Sequence, residues 1–112
     1  METIKLDIIP QGVNPKFYVS QGDDLRALGV YLTENNEPYI LTGSEAVYLE
    51  ALTVNDTYFR SQIENTGGDF LHFEILSKLT SKAGSNYCKI IIETDEQKIG
   101  TSAFFIIVEK KP

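Results

Sequence analysis

The feature that narrows the fold most is a pair of apolar runs near the C-terminus, residues 87–93 (YCKIIIE) and 99–109 (IGTSAFFIIVE). Only the polar stretch TDEQK at 94–98 separates them. Two such runs around a short polar segment are the signature of a β-hairpin. Side chains alternate sides along a strand, so Cys88, Ile90 and Ile92 share one face of the first run and Phe104, Ile106 and Val108 one face of the second. These six are the expected central wall of a core. Ala103, Phe105 and Ile107 fall on the reverse side, which makes the second strand apolar on both faces. A strand of that kind needs a second cover, from its own chain or from another.

The rest of the chain reads as further short strands. Residues 3–9 alternate Ile4, Leu6 and Ile8 against Lys5 and Asp7 and stop at the PQG of 10–12. The aromatic run KFYV at 16–19 is short enough for a sheet edge and closes at the SQGDD of 20–24. In residues 25–32, Leu28, Val30 and Leu32 oppose Ala27, Gly29 and Tyr31, and Gly29 in mid-strand marks a bulge or a close approach. The ENNE of 34–37 is a tight-turn candidate because Asn tolerates positive φ, and Pro38 makes the segment after it an edge piece. Strands are also expected at 46–52, 57–63 and 70–75, while LSKLTSK at 76–82 lacks alternation and reads as at most one short helical turn. Short strands with turn signals between them point to an all-β fold. We expect a two-sheet antiparallel β-sandwich, immunoglobulin-like, with residues 1–109 as a single domain and 110–112 as the start of a linker or the chain end.

Composition limits the partners. The chain has 112 residues and is 42% hydrophobic, enough for one core of common domain size. Its net charge of −6 opposes binding to nucleic acid, whose affinity comes largely from Lys and Arg neutralising phosphates. No apolar run approaches the roughly 20 residues that span a bilayer, so neither membrane insertion nor a secretory signal is expected. One cysteine rules out an internal disulfide, so the chain either is made in a reducing compartment or needs no covalent staple.

Residues with catalytic or ligating chemistry are sparse. His72 is the single histidine and lies between core positions on a strand, as an outward-facing imidazole. Cys88 is in register with Ile90 and Ile92 and reads as a small buried hydrophobe. One Cys and one His cannot supply a structural zinc site, and the acidic turns at Asp23-Asp24, Asp56, Asp69 and Asp95-Glu96 lack the spacing of a dedicated calcium loop. The Gly67-Gly68 pair belongs to no phosphate-binding motif. The expectation is no enzyme, no cofactor and no metal.

The aromatics carry more information. Tyr18, Tyr31, Tyr48, Tyr58, Phe70 and Phe105 fall on, or can fall on, the face opposite the core positions, where a sandwich is normally polar. An aromatic-rich outside points to contact with another chain; against that stands the ordinary β-propensity of Tyr along strand surfaces. Phe105 and Ile107 are the leading protein-interface candidates, with Tyr48 and Tyr31 behind them. An alternative is a carbohydrate-binding sandwich, for which Tyr18, Tyr39 and Tyr58 with Asn35, Asn36 and Asn55 are the available pieces, although no Trp is present.

The order of several short motifs resembles the N-terminal domain of the phage baseplate upper protein family, found in tailed phages and prophages of Gram-positive bacteria. The carriers are IKLDIIPQG at 4–12, VSQGD at 19–23, NNEPYIL at 35–41, the segment 79–84 ahead of a strand with Cys88, and the closing IGTSAFFIIVEKKP at 99–112. The match spans nearly the whole chain, and its specificity comes from order and spacing. The resemblance implies a structural module of a tail baseplate with no catalytic residue, linking the tail to the receptor-binding apparatus. Its implied partners are other tail and baseplate proteins, with a homo-oligomer possible, and its implied place is the virion, assembled in the host bacterial cytoplasm.

Overall fold

The computed structural model describes residues 2–10, 12, 14–23 and 26–111. Gln11 of the first turn, Asp24 and Leu25 at the entry to the third strand, and Met1 and Pro112 at the ends lie outside the described residues. The elements follow in order as β1 Glu2–Asp7, β2 Lys16–Ser20, β3 Arg26–Glu34, β4 Glu37–Pro38, β5 Ala46–Leu52, β6 Tyr58–Ile63, β7 Phe70–Ile75, α1 Ser77–Thr80, β8 Gly84–Glu93, β9 Lys98–Gly100 and β10 Phe104–Glu109. The expected helical turn is α1, four residues long. The expected wall of six is buried, with Cys88, Ile90, Phe104 and Ile106 wholly inaccessible.

Two sheets pack across one core. The first has β3 at its centre, with β1 on one side and both β7 and β4 on the other; the second runs β2-β10-β8-β5-β6, with β9 beside β8. Leu6, Leu28, Val30, Leu32, Leu71 and Ile75 face inward from the first sheet, and meet Phe17, Val19, Val47, Leu49 and the six wall residues from the second. The two-residue turn between β3 and β4 has Asn35 at φ 50° and Asn36 at φ 68°, the pair of positive values that a twisted hairpin favours. Gly29 is a close-approach position: a Cβ there would sit 2.7 Å from the Phe70 ring.

The sandwich stands, but the sheets are mixed and not antiparallel throughout. β1 pairs with β3, and β2 with β10, in parallel. The expectation of antiparallel order rests on neighbours in sequence pairing through hairpins. Here β2 leaves the sheet of β1 and β3 altogether, so β1 and β3 run the same way, and β2 joins the last strand of the chain. Nothing in this order singles out the immunoglobulin arrangement.

The C-terminal hairpin is also more elaborate than two continuous strands. Ile91 pairs with Gly100 and Cys88 with Phe104, so four steps along the returning chain answer three along β8. One extra residue of this kind is a β-bulge. Ile99 faces the core opposite Ile92; strict alternation from Ile99 would turn Phe105 and Ile107 inward. The bulge reverses the parity and puts Phe104, Ile106 and Val108 inside. Thr101 supports it, since its hydroxyl accepts the Ile90 N–H at 3.1 Å and its own N–H donates to the Ile90 carbonyl at 2.9 Å. Ser102 fastens the bulge to the other sheet, donating its N–H to the Asp7 carbonyl at 2.8 Å and its hydroxyl to the Ile9 carbonyl at 3.3 Å.

Buried polar groups tie the ends of the sandwich. The Asp7 carboxylate accepts from the Ile9 N–H at 2.8 Å, the Thr33 hydroxyl at 3.0 Å and the Asn36 N–H at 3.2 Å, joining the end of β1 to the β3–β4 turn. Asn86 lies on the core face of β8 and donates to the carbonyls of Leu79 and Ile106, which anchors α1 to the sheet. Between β4 and β5, the Glu45 carboxylate closes its own loop on Thr42 and Gly43 and accepts from the Asn65 amide. Partial burial opposes its charge, but hydrogen bonds from the Thr42 N–H, its own N–H, the Thr42 hydroxyl and Asn65 outweigh burial and hold the pKa at about 2.

Thr101→Val keeps the shape of the bulge and removes the acceptor for a buried N–H, so it is expected to lower stability by roughly 1–3 kcal/mol in urea unfolding. Glu45 has a folded pKa below its unfolded value, so its contribution is complete above about pH 4.5 and lost as pH falls towards about 2. The stability gap between wild type and Glu45→Gln should therefore close across that window. Burial pushes the Cys88 thiol up to about 12; its alkylation at neutral pH should follow the rate of unfolding, and fast labelling of native protein would contradict its placement.

Candidate protein-docking face

The pairing register lays out the outer face of the six-stranded sheet. Phe105 lies opposite Lys16 on one side and Tyr87 on the other, Tyr87 opposite Leu52, and Leu52 opposite Tyr58. Lys16, Phe105, Tyr87, Leu52 and Tyr58 thus form one row that crosses five strands. Because β-strands alternate sides, these residues are outward for the same reason that Phe17, Cys88, Ala51 and Phe59 are inward. Tyr87, Leu52 and Tyr58 are 43%, 44% and 60% exposed. Ile107 and the exposed Tyr18 pair beside this row and widen it at the β2 edge. A shallow depression of about 210 Å³ opens in the row between Tyr58 and Tyr87, with Leu52 between them and Glu50 and Lys89 at its margin.

Charged contacts hold part of this face in place. The Arg60 guanidinium bonds Glu93 at 2.7 Å, reaches Glu50 at 3.9 Å and lies 3.7 Å from the centre of the Tyr48 ring. The Tyr58 hydroxyl donates to Glu50 at 2.8 Å. That hydrogen bond pushes the Tyr58 phenol above its usual value. At the other end, Tyr87 meets Phe105 edge-on at 5.6 Å. Orientation by neighbours reduces the rotamer freedom lost when a partner covers such rings.

The four interface candidates from the sequence separate. Phe105 and Ile107 lie in the outer face as half-buried members. Tyr48 is on the same sheet face, but Arg60 covers its ring. Tyr31 lies on the outside of the other sheet, packed on Phe70 at 4.7 Å. Tyr87 and Leu52, the middle of the row, escaped the sequence reading. The series Tyr87, Lys89, Ile91 carries the one and Tyr48, Glu50, Leu52 the other in principle, but only the register of β8 against β5 and β10 brings both beside Phe105.

The pieces available for sugar binding are scattered. Tyr18 is on edge strand β2 and Tyr58 on edge strand β6, four strand spacings apart or about 19 Å. Tyr39 packs against the core, and Asn36 gives its N–H to Asp7. A separate cleft of about 340 Å³ between β6 and β7 is lined by Ser61, His72 and Glu74 among others. Among the described residues no hydrogen bond joins those three. The His72 ring stacks on Phe70 at 6.2 Å.

Comparison with known proteins agrees with this architecture. No curated protein matches the chain. Among solved structures, the "N-terminal domain of phage TP901-1 ORF48" superposes with a TM-score of 0.66 at 14% identity, covering 98% of this chain and 100% of that one. At that identity the likeness concerns the fold. The family model described as the BppU N-terminal domain matches residues 1–111, and the chain therefore belongs to that family, the N-terminal domain of the phage baseplate upper protein.

Proposed function

We propose that this domain is a non-enzymatic attachment module, joining a phage tail to the apparatus that carries the receptor-binding proteins. The observation that carries the reading is the row of exposed Tyr87, Leu52 and Tyr58 on the outer face of the six-stranded sheet. Solvent-facing sheet surfaces are normally polar, and a contiguous apolar strip with a polar margin is the composition of a protein interface. Family membership supplies the setting, a tail baseplate, and hence another tail protein as the partner class. The acidic chain suits such a partner better than nucleic acid. Assembly inside the host bacterium fits a single, buried thiol. Self-association through the same strip belongs to this proposal as a subsidiary mode.

The test uses tails purified from a phage deleted for this domain, with binding of the added domain measured directly. Leu52 and Tyr87 are exposed, so the double variant Leu52→Asp, Tyr87→Asp should keep its circular dichroism and unfolding midpoint. Its affinity for tails should fall by about 30-fold or more, the loss of roughly 2 kcal/mol that truncating an interface hot spot brings. A folded double variant that binds tails as well as wild type removes the strip from the proposal.

A further inference from the structure

We infer that the partner surface covering this strip is acidic, an apolar projection flanked by carboxylates, with the projection seated in the depression between Tyr58 and Tyr87. The inference rests on the docking reading above and adds the chemistry of the partner. Its basis is the distribution of charge. The chain carries −6, yet the outer face of the six-stranded sheet holds four basic residues, Lys16, Lys89, Lys98 and Arg60, against three acidic ones, Glu50, Glu93 and Glu109. One side of an acidic protein is therefore slightly basic.

Local pairing sharpens that contrast. Arg60 draws in Glu93 and Glu50, and Tyr58 takes a further hydrogen bond to Glu50. Lys89 lies opposite Glu50 and Lys98 opposite Glu93 in the ladder, but neither comes within ion-pair distance among the described residues. Lys16 ends the apolar row beside Phe105 with no acidic residue as its ladder partner. Among the described residues Lys16 at the row's end and Lys89 beside it thus make no ion pair, while Glu50 and Glu93 are engaged; Glu109, opposite Ser20 at the far end of β2, is the one acidic residue of this face without such a partner. A partner with carboxylates at its rim would pair with the lysines, and an acidic rim would also be repelled by the remaining surface of this domain, which fixes the side of approach. The depression of about 210 Å³, with Leu52 between two tyrosines, has room for one apolar side chain and little more.

The experiment again uses tails lacking this domain, now with Lys16→Glu, Lys89→Glu and Leu52→Asp compared at two salt concentrations. For wild type, affinity should fall as salt rises from about 50 mM to about 500 mM, because rim charges are screened over that range. Each lysine reversal should weaken binding about tenfold or more at low salt, mainly by slowing association, and the deficit should shrink at high salt. If Leu52→Asp abolishes binding while both reversals bind like wild type with unchanged salt dependence, docking stands and the acidic partner is overturned. If the reversals strengthen binding, the rim is basic and the inference is wrong. If wild type does not bind tails, the docking reading and this inference fail together; if it instead forms a salt-insensitive dimer through Leu52 in sedimentation, the strip docks a second copy and the acidic partner is overturned.

Discussion

The single extra residue between β9 and β10 decides which side of the last strand becomes core. Ile99 faces inward, and without the bulge Phe105 and Ile107 would follow it. With the bulge, Phe104 and Ile106 fill the centre, and Phe105 moves to the outer face beside Tyr87. Shifting a strand by one residue exchanges its two faces, so the bulge sets both the packing of the wall and the membership of the exposed row. Its support is polar and buried: the Thr101 hydroxyl stands in for a missing ladder acceptor, and Ser102 ties the kink to the end of β1. The core and the candidate docking face therefore share one structural cause.

Local patterns in the sequence carry much of the fold, and non-local ones carry the remainder. The alternation in residues 87–93 and 104–109, the positive-φ turn at Asn35 and Asn36, the close approach at Gly29 and the helical turn before β8 are all local, and each is where the sequence places it. The parallel pairs are not local. β2 is far in sequence from β10, and no hairpin rule connects them. The bulge escapes for a related reason: residues 99–109 are apolar on both faces, so alternation alone has two acceptable registers. The candidate face was half legible in the same way. Alternation places Phe105 and Ile107 on an outer face, whereas Tyr87 and Leu52 need the cross-strand register, and Tyr31 lies on the other sheet because sequence alone does not say which sheet β3 joins.

The two outer faces of the sandwich treat their aromatics differently. On the four-stranded sheet, Tyr31 and Phe70 pack on each other and the Phe70 ring lies over Gly29, in a space that exists because that residue has no Cβ. In that pair Phe70 is half-buried, while Tyr31 stays 44% exposed. On the six-stranded sheet, Arg60 shields Tyr48. The row from Phe105 to Tyr58 differs in extent: with Lys16 it crosses five strands, and Tyr87, Leu52 and Tyr58 along it are each more than two-fifths exposed.

That difference bears on what such a row costs and what it offers. Leaving Leu52 and two tyrosines in water forgoes roughly 1 kcal/mol or more per side chain relative to covering them, and a sandwich of this size has no need of them for its core, which is already continuous without them. Polar residues at 52, 58 and 87 would continue the outward alternation of their strands equally well. Holding Tyr58 through Glu50, and Glu50 through Arg60, adds order to a surface that solvent alone would leave mobile. Ordered, apolar and uncovered surface lowers the entropic cost of being covered later. The properties that make the row unfavourable for an isolated domain are those that favour it as half of an interface in a baseplate.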